Sequence, residues 1–534
     1  VEPRHFQHWP PGLARTLPPA DETLLDALER TAARHAEKPA LVEPGCILSW
    51  GNISKRAAAV AAALRERYAV QPGDPVLLCA QNGADFVVSF YAILRAGAVV
   101  VPLAPMYLAS ELAHYRADSG ARVAIVESEV AERFSDIGLA HLLIPGRTPV
   151  SEADPGPCPA RPADLCLMPY TSGSTGKPKG CMHTHRTVLH NIRGAVLWKA
   201  VDARSVALAT APFFHVTGLV HSFLATAYAG GTIVVQRRWD PGEAARLIER
   251  YRCTHWDNVP TMVVDLLAQP EAERCDLSSL RCIFGGGQAM PEAVARRLEE
   301  RLGIRYIEGY GLTETISQTH INPPQRPKRQ CLGIPTFDTE ALVVDPDTLA
   351  VLPPGAQGEI LVRGPQLFIG YWKKEEDYAR AWAEVEGKRY FRTGDLGRMD
   401  EDGYFYISDR LKRMINAAGY KVWPTEVEAV MYRHPAIKEC CVIAAPDERR
   451  GETVKAVVVL EAGARAQASE IIAWARTQMA PYKVPRSIEF VAALPRTASG
   501  KIQWRALQEK EYARAEGRSP GRKPQEHNPD DIPD

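Results

Sequence analysis

Apolar residues recur at helical spacing in TLLDALERTAARHAE, from Thr23, and in NISKRAAAVAAALRERYA, from Asn52. Both patterns predict helices with one buried face. Between and after them stand short β-branched runs: PVLLCA from Pro75, RVAIVES from Arg122 and GTIVVQ from Gly231. Runs that are apolar throughout predict strands buried on both faces. Alternation of the two patterns predicts an α/β fold, a large N-terminal region of layered, mostly parallel sheets covered by helices. The most apolar stretch, FVVSFYAILRAGAVVVPLAPM from Phe86, carries Arg95 and Gly97 in its middle and meets Pro102 and Pro105. It reads as a buried helix followed by a core strand, not as a membrane span.

After about Thr336 the texture changes. EALVVD, GEILVRG and GYFYISD are strand-like and separated by Pro- and Gly-rich turns, which predicts a small antiparallel, β-barrel-like region. Beyond Asp409 comes a smaller α+β unit: a helix from about Pro424, with Pro suited to its first position, strands ECCVIAAPD and VKAVVVLEA, then a helix from about Ser469. The expected division is a large domain over 1–409, a small mobile domain over 413–514, and a polar, Pro-rich flexible tail over 515–534.

At 534 residues the chain is too long for a single core. Lys+Arg and Asp+Glu balance at 64 each, which leaves no electrostatic footprint for nucleic acid. The 11 cysteines are scattered without a C-x-x-C pair, the usage of reduced thiols in a cytoplasmic protein. The N-terminal VEPRHFQHWPPGLART has no apolar core segment, so no secretory signal is expected. A homo-oligomer such as a dimer stays open, since no coiled coil or assembly motif is legible.

One stretch carries candidate chemistry. TSGSTGKPKG, from Thr171 to Gly180, has the glycines, hydroxyls and lysines of a phosphate loop but not the P-loop spacing. Thr171 stands where the first Gly should, and Pro178 follows Gly176-Lys177 where Ser or Thr would hold magnesium. Small residues still let backbone N–H groups approach phosphate oxygens, and Lys179 adds a point charge. By itself such a loop is more often an ordinary turn.

Four further segments follow in order: FFHVTG (Phe213–Gly218), GYGLTE (Gly309–Glu314), YFRTGD (Tyr390–Asp395) with GYFYISDRLKRMI from Gly403, and PRTASGK ending at Lys501. With YTSGSTGKPKG they resemble the adenylate-forming superfamily of acyl-CoA synthetases, adenylation domains and beetle luciferases, over roughly Thr23 to Ala506. Within it the chain looks most like acyl-CoA synthetases acting on fatty or substituted alkanoic acids. The resemblance implies an ATP- and Mg2+-dependent acid–thiol ligase with coenzyme A as co-substrate. A carboxylate attacks the α-phosphorus of ATP to give an acyl-adenylate and pyrophosphate; the coenzyme A thiol then attacks the acyl carbon and expels AMP. The first step brings two anions together, so aligned donors and positive charge are its main requirement.

By the same resemblance the ATP/AMP site takes Thr171, Ser172, Gly173, Ser174, Thr175 and Lys179 from the loop. It takes Gly287, Gln288, Glu308, Gly309, Tyr310, Gly311 and Thr313 from the middle of the chain, and Asp395, Ile407, Arg410 and Lys501 from its last third. Thr313 contacts the α-phosphate, Glu314 helps hold Mg2+, Asp395 accepts both ribose hydroxyls and Tyr310 stacks on adenine. Outside its motif Glu314 would read as a helix-start carboxylate. Lys501 bridges the substrate carboxylate and the α-phosphate. Lys412 is the hinge, within 410–412, about which the small domain swings to replace Lys501 with Ala418, Gly419 and Tyr420 beside the pantetheine.

The acid is expected against His215, Gly218, Asn258, Gly285 and Gly286, with His215 positioning substrate. Three consecutive glycines, Gly285 to Gly287, suggest room for a medium-chain or substituted alkanoic acid, such as a methylthioalkanoate; an aryl acid fits as well. A carrier-protein acceptor, a luciferase-like oxygenase and an inactive nucleotide-binding regulator are the alternatives, and joint retention of Thr313, Glu314, Asp395 and Lys501 argues against the last.

Overall fold

A computed structural model describes residues 3–135, 137–146, 156, 158–171, 178–287, 290–410, 413–417, 420–447, 451–497 and 501–515; of residues 409, 410, 416, 420, 421 and 451 it describes the backbone alone. The chain divides into two compact units, Val1–Thr393 with Gly397–Ile407, and Gly394–Leu396 with Ser408–Asp534. The division falls two residues before the boundary expected after residue 409.

Two sheets build most of the first unit. One has nine strands, in the order Ile334–Pro335, Ser317–Ile321, Tyr306–Leu312, Cys282–Gly286, His255–Asn258, Val206–Ala209, Thr232–Val235, Pro39–Glu43 and Cys46–Ser49. Its central pairs are parallel and its edge pairs antiparallel. The other has seven, in the order Gly370–Tyr371, Cys181–Thr184, Leu165–Leu167, Val99–Leu103, Pro75–Cys79, Val123–Val126 and His141–Leu143. Its middle is again parallel. Strands buried on both faces need helices on both, and the helices predicted from the pattern supply them. Leu24–Arg34 starts on a Thr23–Asp26 capping box, and the apolar run from Phe86 splits into the helix Ala84–Arg95 and the strand Val99–Leu103.

A single core joins the sheets. Leu28, Trp50, Phe86, Phe90, Val188 and Phe223 pack between Val76 and Leu78 of the seven-stranded sheet and Ile233 and Val235 of the nine-stranded one. The outer face of the larger sheet is covered separately: Trp256, Ile283 and Tyr306 meet helices Pro241–Tyr251, Pro260–Ala268 and Glu292–Leu302. Period-two alternation therefore sends neighbouring residues of one strand into different cores.

The antiparallel texture after Thr336 is a five-stranded sheet of Glu340–Val344, Gly358–Arg363, Lys388–Met399, Trp382–Val385 and Phe405–Arg410. The second unit has its own five-stranded sheet, in which Ile437–Asp447 and Gly451–Leu460 pair over their whole length. Helices Pro424–Met431 and Ala468–Gln478 pack on it through Val427, Met431, Ile471 and Ala475. A further helix, Trp504–Ala515, follows; the tail expected to be flexible lies outside the described residues from 516 on.

Candidate active site

The GYGLTE motif ends a strand and enters a strained turn. Strand Tyr306–Leu312 returns as Ser317–Ile321 through Thr313 to Ile316. No helix follows Glu314, so its alternative reading as a helix-start carboxylate does not hold. Ile316 and Ser317 have φ of 43° and 97°, a backbone region that a β-branched residue enters only at a cost. What holds them there is a dense set of partners. The Asn191 amide, from helix His185–Trp198, donates to the carbonyls of Thr315 and Ile316 at 2.8 Å each. The Thr315 hydroxyl accepts from the Leu312 N–H at 2.9 Å and donates to the Ser317 carbonyl at 2.6 Å. A Cβ on Gly311 would lie 1.6 Å from that same carbonyl, so only glycine fits there. The His183 ring donates from Nε2 to the Thr313 carbonyl at 2.8 Å; burial lowers its pKa to about 4 and keeps it neutral.

The same turn meets the phosphate loop through a residue far along the chain. Strand Gly370–Tyr371 pairs with Cys181–Thr184, directly after the loop. That register sets the Tyr371 hydroxyl to donate to Glu314 Oε1 at 2.7 Å, while the Phe368 N–H bonds the Glu314 carbonyl at 2.8 Å. Burial first, then the Glu314 charge, push the Tyr371 phenol far above its ordinary pKa, so it remains a donor. Lys179 Nζ sits 5.1 Å from the centre of the Tyr371 ring and 2.9 Å from Asp377 Oδ2. Lys179, expected to add a point charge for phosphate, has a carboxylate partner in Asp377. The loop's two ends are pinned: the Thr171 N–H bonds the Lys179 carbonyl at 2.9 Å, and Tyr170 bridges Gly180. Ser172, Gly173, Ser174 and Thr175 lie outside the described residues. Neither Tyr371 nor Asp377 was legible beforehand, because Tyr371 in FIGYW reads as any core aromatic.

Glu308 precedes the glycines on the same strand and is 7% exposed. Its carboxylate accepts from the Met290 N–H at 3.2 Å and the Gln330 N–H at 2.8 Å. It therefore ties the nucleotide-side strand to the segment after Gly287, where Gln288 lies outside the described residues. Burial pushes its pKa up to about 7, against the backbone N–H groups that favour the ionised form. Tyr310 is 9% exposed with its ring 5.8 Å from His320.

The glycines expected to open the acid pocket do something else. A Cβ on Gly285 would fall 1.9 Å from Tyr306 Oη, and one on Gly286 would fall 2.4 Å from the Gly309 carbonyl. Gly218 is likewise closed off, by the Pro212 carbonyl at 2.3 Å. These glycines allow neighbouring backbone and side chains to approach closely. Asn258 is completely buried and accepts from Tyr306 Oη at 3.1 Å, in the outer core with Gly285. His215 is half-buried, its Nδ1 accepting from the Thr217 N–H at 3.3 Å just before the π-helix Gly218–Leu224.

Asp395 is 1% exposed within strand Lys388–Met399, next to Gly394 at φ 68°. Ile407 is exposed on strand Phe405–Arg410, which also carries the Arg410 backbone. Lys501 pairs with Thr497: its N–H bonds Thr497 Oγ1 at 3.1 Å, its carbonyl accepts from the Thr497 N–H at 2.7 Å, and Arg496 bridges Ile502. Tyr420 opens strand Tyr420–Val422, described by its backbone; Lys412, Ala418 and Gly419 lie outside the described residues.

The model of the AMP-binding enzyme family matches residues 28–372, and that of the AMP-binding enzyme C-terminal domain matches 426–501. The chain belongs to the AMP-binding enzymes. It is 38% identical to a feruloyl-CoA synthase of an Amycolatopsis species over 505 residues, 92% of this chain and 96% of the other. It is 34% identical to a long-chain-fatty-acid–CoA ligase of Bacillus subtilis, over 94% of this chain and 97% of the other. Among solved structures, the anthranilate CoA ligase AuaEII in complex with anthranoyl-AMP aligns with a TM-score of 0.84 at 29% identity, covering 93% of this chain and 99% of that one. ATP-bound MatB from Rhodopseudomonas palustris aligns with a TM-score of 0.83 at 28% identity, covering 91% and 98%. The α/β reading stands with them.

For an AMP-binding enzyme, the donor set at the turn fits magnesium. Among the described residues no three His, Cys, Asp or Glu side chains gather into a metal cage. A single oriented carboxylate, Glu314, suits an ion that keeps phosphate oxygens and waters as its other ligands. Tyr371→Phe should therefore lower kcat/KM for Mg-ATP about 10- to 100-fold, the usual effect of losing a hydrogen bond behind a metal ligand, with the acid's KM moved far less; equal losses for both would deny Tyr371 this role. Glu308 makes a second prediction. Its folded pKa exceeds the unfolded one, so the folded chain holds the proton more tightly, and stability present at low pH is lost as pH rises from about 4.5 to about 7. Glu308→Gln should remove on the order of 3 kcal/mol of that pH dependence, read as a flatter plot of unfolding midpoint against pH; a slope identical to the wild type would refute it.

Proposed function

We propose that this chain is an ATP-dependent carboxylic acid–CoA ligase that takes a bulky, uncharged-tailed acid, an aryl acid in the first instance. The observation that carries the reading is the meeting of the phosphate-loop end at Lys179, the Tyr371 strap and Glu314 at one strained turn. Thr313 and the loop's N–H groups hold the phosphates, Glu314 holds the Mg2+ that offsets phosphate charge, and Asp395 takes the ribose. Lys501 supplies positive charge as the carboxylate oxygen bonds to the α-phosphorus and pyrophosphate leaves. Its effect is concentrated in that transition state, where binding energy accelerates the reaction.

In the second half-reaction the thiol sulfur bonds to the acyl carbon, its proton is lost and AMP departs with the electrons of the broken C–O bond. The segment holding Ala418, Gly419 and Tyr420 serves this step, with Lys412 as the pivot. The size argument for alkanoic acids rested on glycines that pack against protein, so it no longer separates the classes. The feruloyl-CoA synthase, at higher identity than the long-chain ligase, favours the aryl acid over a medium-chain or substituted alkanoate. Free cysteines throughout the described residues support a cytoplasmic setting, and none of the described helices is long and apolar enough to cross a membrane.

Pyrophosphate release from Mg-ATP across a panel of aryl and alkanoic acids, with and without coenzyme A, tests this. Acid-dependent release that coenzyme A converts to steady thioester formation supports it. Release indifferent to coenzyme A points to a carrier protein, and ATP binding without release for any acid points to a regulator. Lys501→Ala should slow adenylation at least about 100-fold, the cost of one lost electrostatic donor, yet still convert preformed acyl-adenylate with coenzyme A to thioester.

A further inference from the structure

The backbone of Lys501 is fixed by contacts that lie outside its own motif. Beyond its pairing with Thr497, the Gln503 N–H bonds the Pro495 carbonyl at 2.8 Å, and helix Trp504–Ala515 begins at the next residue. Ile502, Trp504 and Leu507 pack against Cys441, Ile443 and Val457 of the second unit's sheet. The seating of this helix therefore sets where Lys501 stands within that unit.

The seat is the edge of strand Ile437–Asp447, which stands last in the order of its sheet. An edge strand presents a row of backbone N–H and C=O groups. Here side chains take them at alternate residues. The Tyr432 hydroxyl donates to the Cys440 carbonyl at 3.3 Å. Val442 donates its N–H to Glu428 Oε1 at 2.7 Å, and its carbonyl accepts from Arg413 Nη2 at 3.1 Å. Gln508, on the helix after Lys501, takes both groups of Ala444. Its Nε2 donates to the carbonyl at 2.7 Å and its Oε1 accepts from the N–H at 2.8 Å. One amide thus stands in for a neighbouring strand and attaches the helix at two points.

The adjacent rung reaches the same helix. Arg413 and Glu428 form an ion pair whose side chains are 11% and 14% exposed. The Arg413 guanidinium also lies 5.6 Å from the centre of the Trp504 ring, within cation–π range. Farther along, Lys455 pairs with Glu511 and, at 2.8 Å, with Glu489. The sequence motifs include none of these residues.

We propose that Gln508, assisted by Arg413, is a positioning residue for adenylation: it fixes helix Trp504–Ala515 on the strand edge so that Lys501 is held in one place. This rests on the ligase reading above and on the role given there to Lys501. A displacement of about 1 Å at a reacting group costs about 100-fold in rate, so an attachment remote from the chemistry governs its speed.

Gln508→Leu keeps the volume and removes both bonds. In the full chain it should lower kcat for acid-dependent pyrophosphate release about 10-fold, with KM for Mg-ATP and for the acid within about twofold of wild type. Conversion of preformed acyl-adenylate and coenzyme A to thioester, a step that does not use Lys501, should also stay within about twofold. The deciding readout is the double variant: in a Lys501→Ala background, Gln508→Leu should slow adenylation no further, the non-additivity of two residues acting through one group. Additive losses, equal losses in both half-reactions, or an unchanged kcat would each overturn the proposal and leave the ligase reading intact. Should Gln508→Leu fail to fold, Arg413→Lys, which keeps a charge beside Glu428 but gives up the guanidinium's several bonds, is carried through the same cycle with the same expected pattern. A wild-type rate in Lys501→Ala would remove the role of that lysine and the proposal with it, whereas no release with any acid would remove the ligase reading itself.

Discussion

The turn from Leu312 to Ser317 is the constraint on which the rest depends. Two consecutive residues, one of them β-branched, sit at positive φ, a conformation that costs of order 1–3 kcal/mol per residue. It persists because Asn191, the Thr315 hydroxyl and His183 each occupy a backbone carbonyl of the turn. The strain fixes where Thr313 and Glu314 stand before any nucleotide arrives. Preorganisation of this kind spares the reaction the cost of gathering its charges when phosphate is attacked.

The architecture brings the other parts to that turn by strand pairing. The phosphate loop follows Leu165–Leu167, the His215 segment follows Val206–Ala209, Gly287 follows Cys282–Gly286, and the strained turn follows Tyr306–Leu312. Each lies beyond the carboxyl end of a strand, where parallel α/β sheets bind their ligands. The seven-stranded sheet then contributes Tyr371 through its edge strand, close to the loop in space though nearly two hundred residues away in sequence. A common core packs between the sheets that carry these strands. Helix His185–Trp198 serves both purposes, burying Val188 in that core and aiming Asn191 at the turn.

Local pattern carried much of this. The helix at Leu24–Arg34, the split of the run from Phe86, the mostly parallel sheets and the antiparallel texture beyond Thr336 were all legible, since periodicity and breakers act within a few residues. Motif residues such as Thr313 and Glu314 were singled out by resemblance. What was not legible depended on alternation and on distant pairing. A glycine that faces a ligand and one that admits Tyr306 Oη look alike in a string, so the close approach at Gly285 was not legible. Asn258 was assigned to the acid because it adjoins the right strand end, yet its side chain enters the outer core. Tyr371 has no local signal at all.

The most direct measurement follows the oxygen. If the chain joins a carboxylate oxygen to the α-phosphorus, an acid labelled with oxygen-18 in its carboxylate must pass one label to the AMP released with coenzyme A present. The account predicts AMP carrying a single heavy oxygen in amount equal to the thioester formed. Unlabelled AMP, or label appearing in ADP or inorganic phosphate, would contradict it.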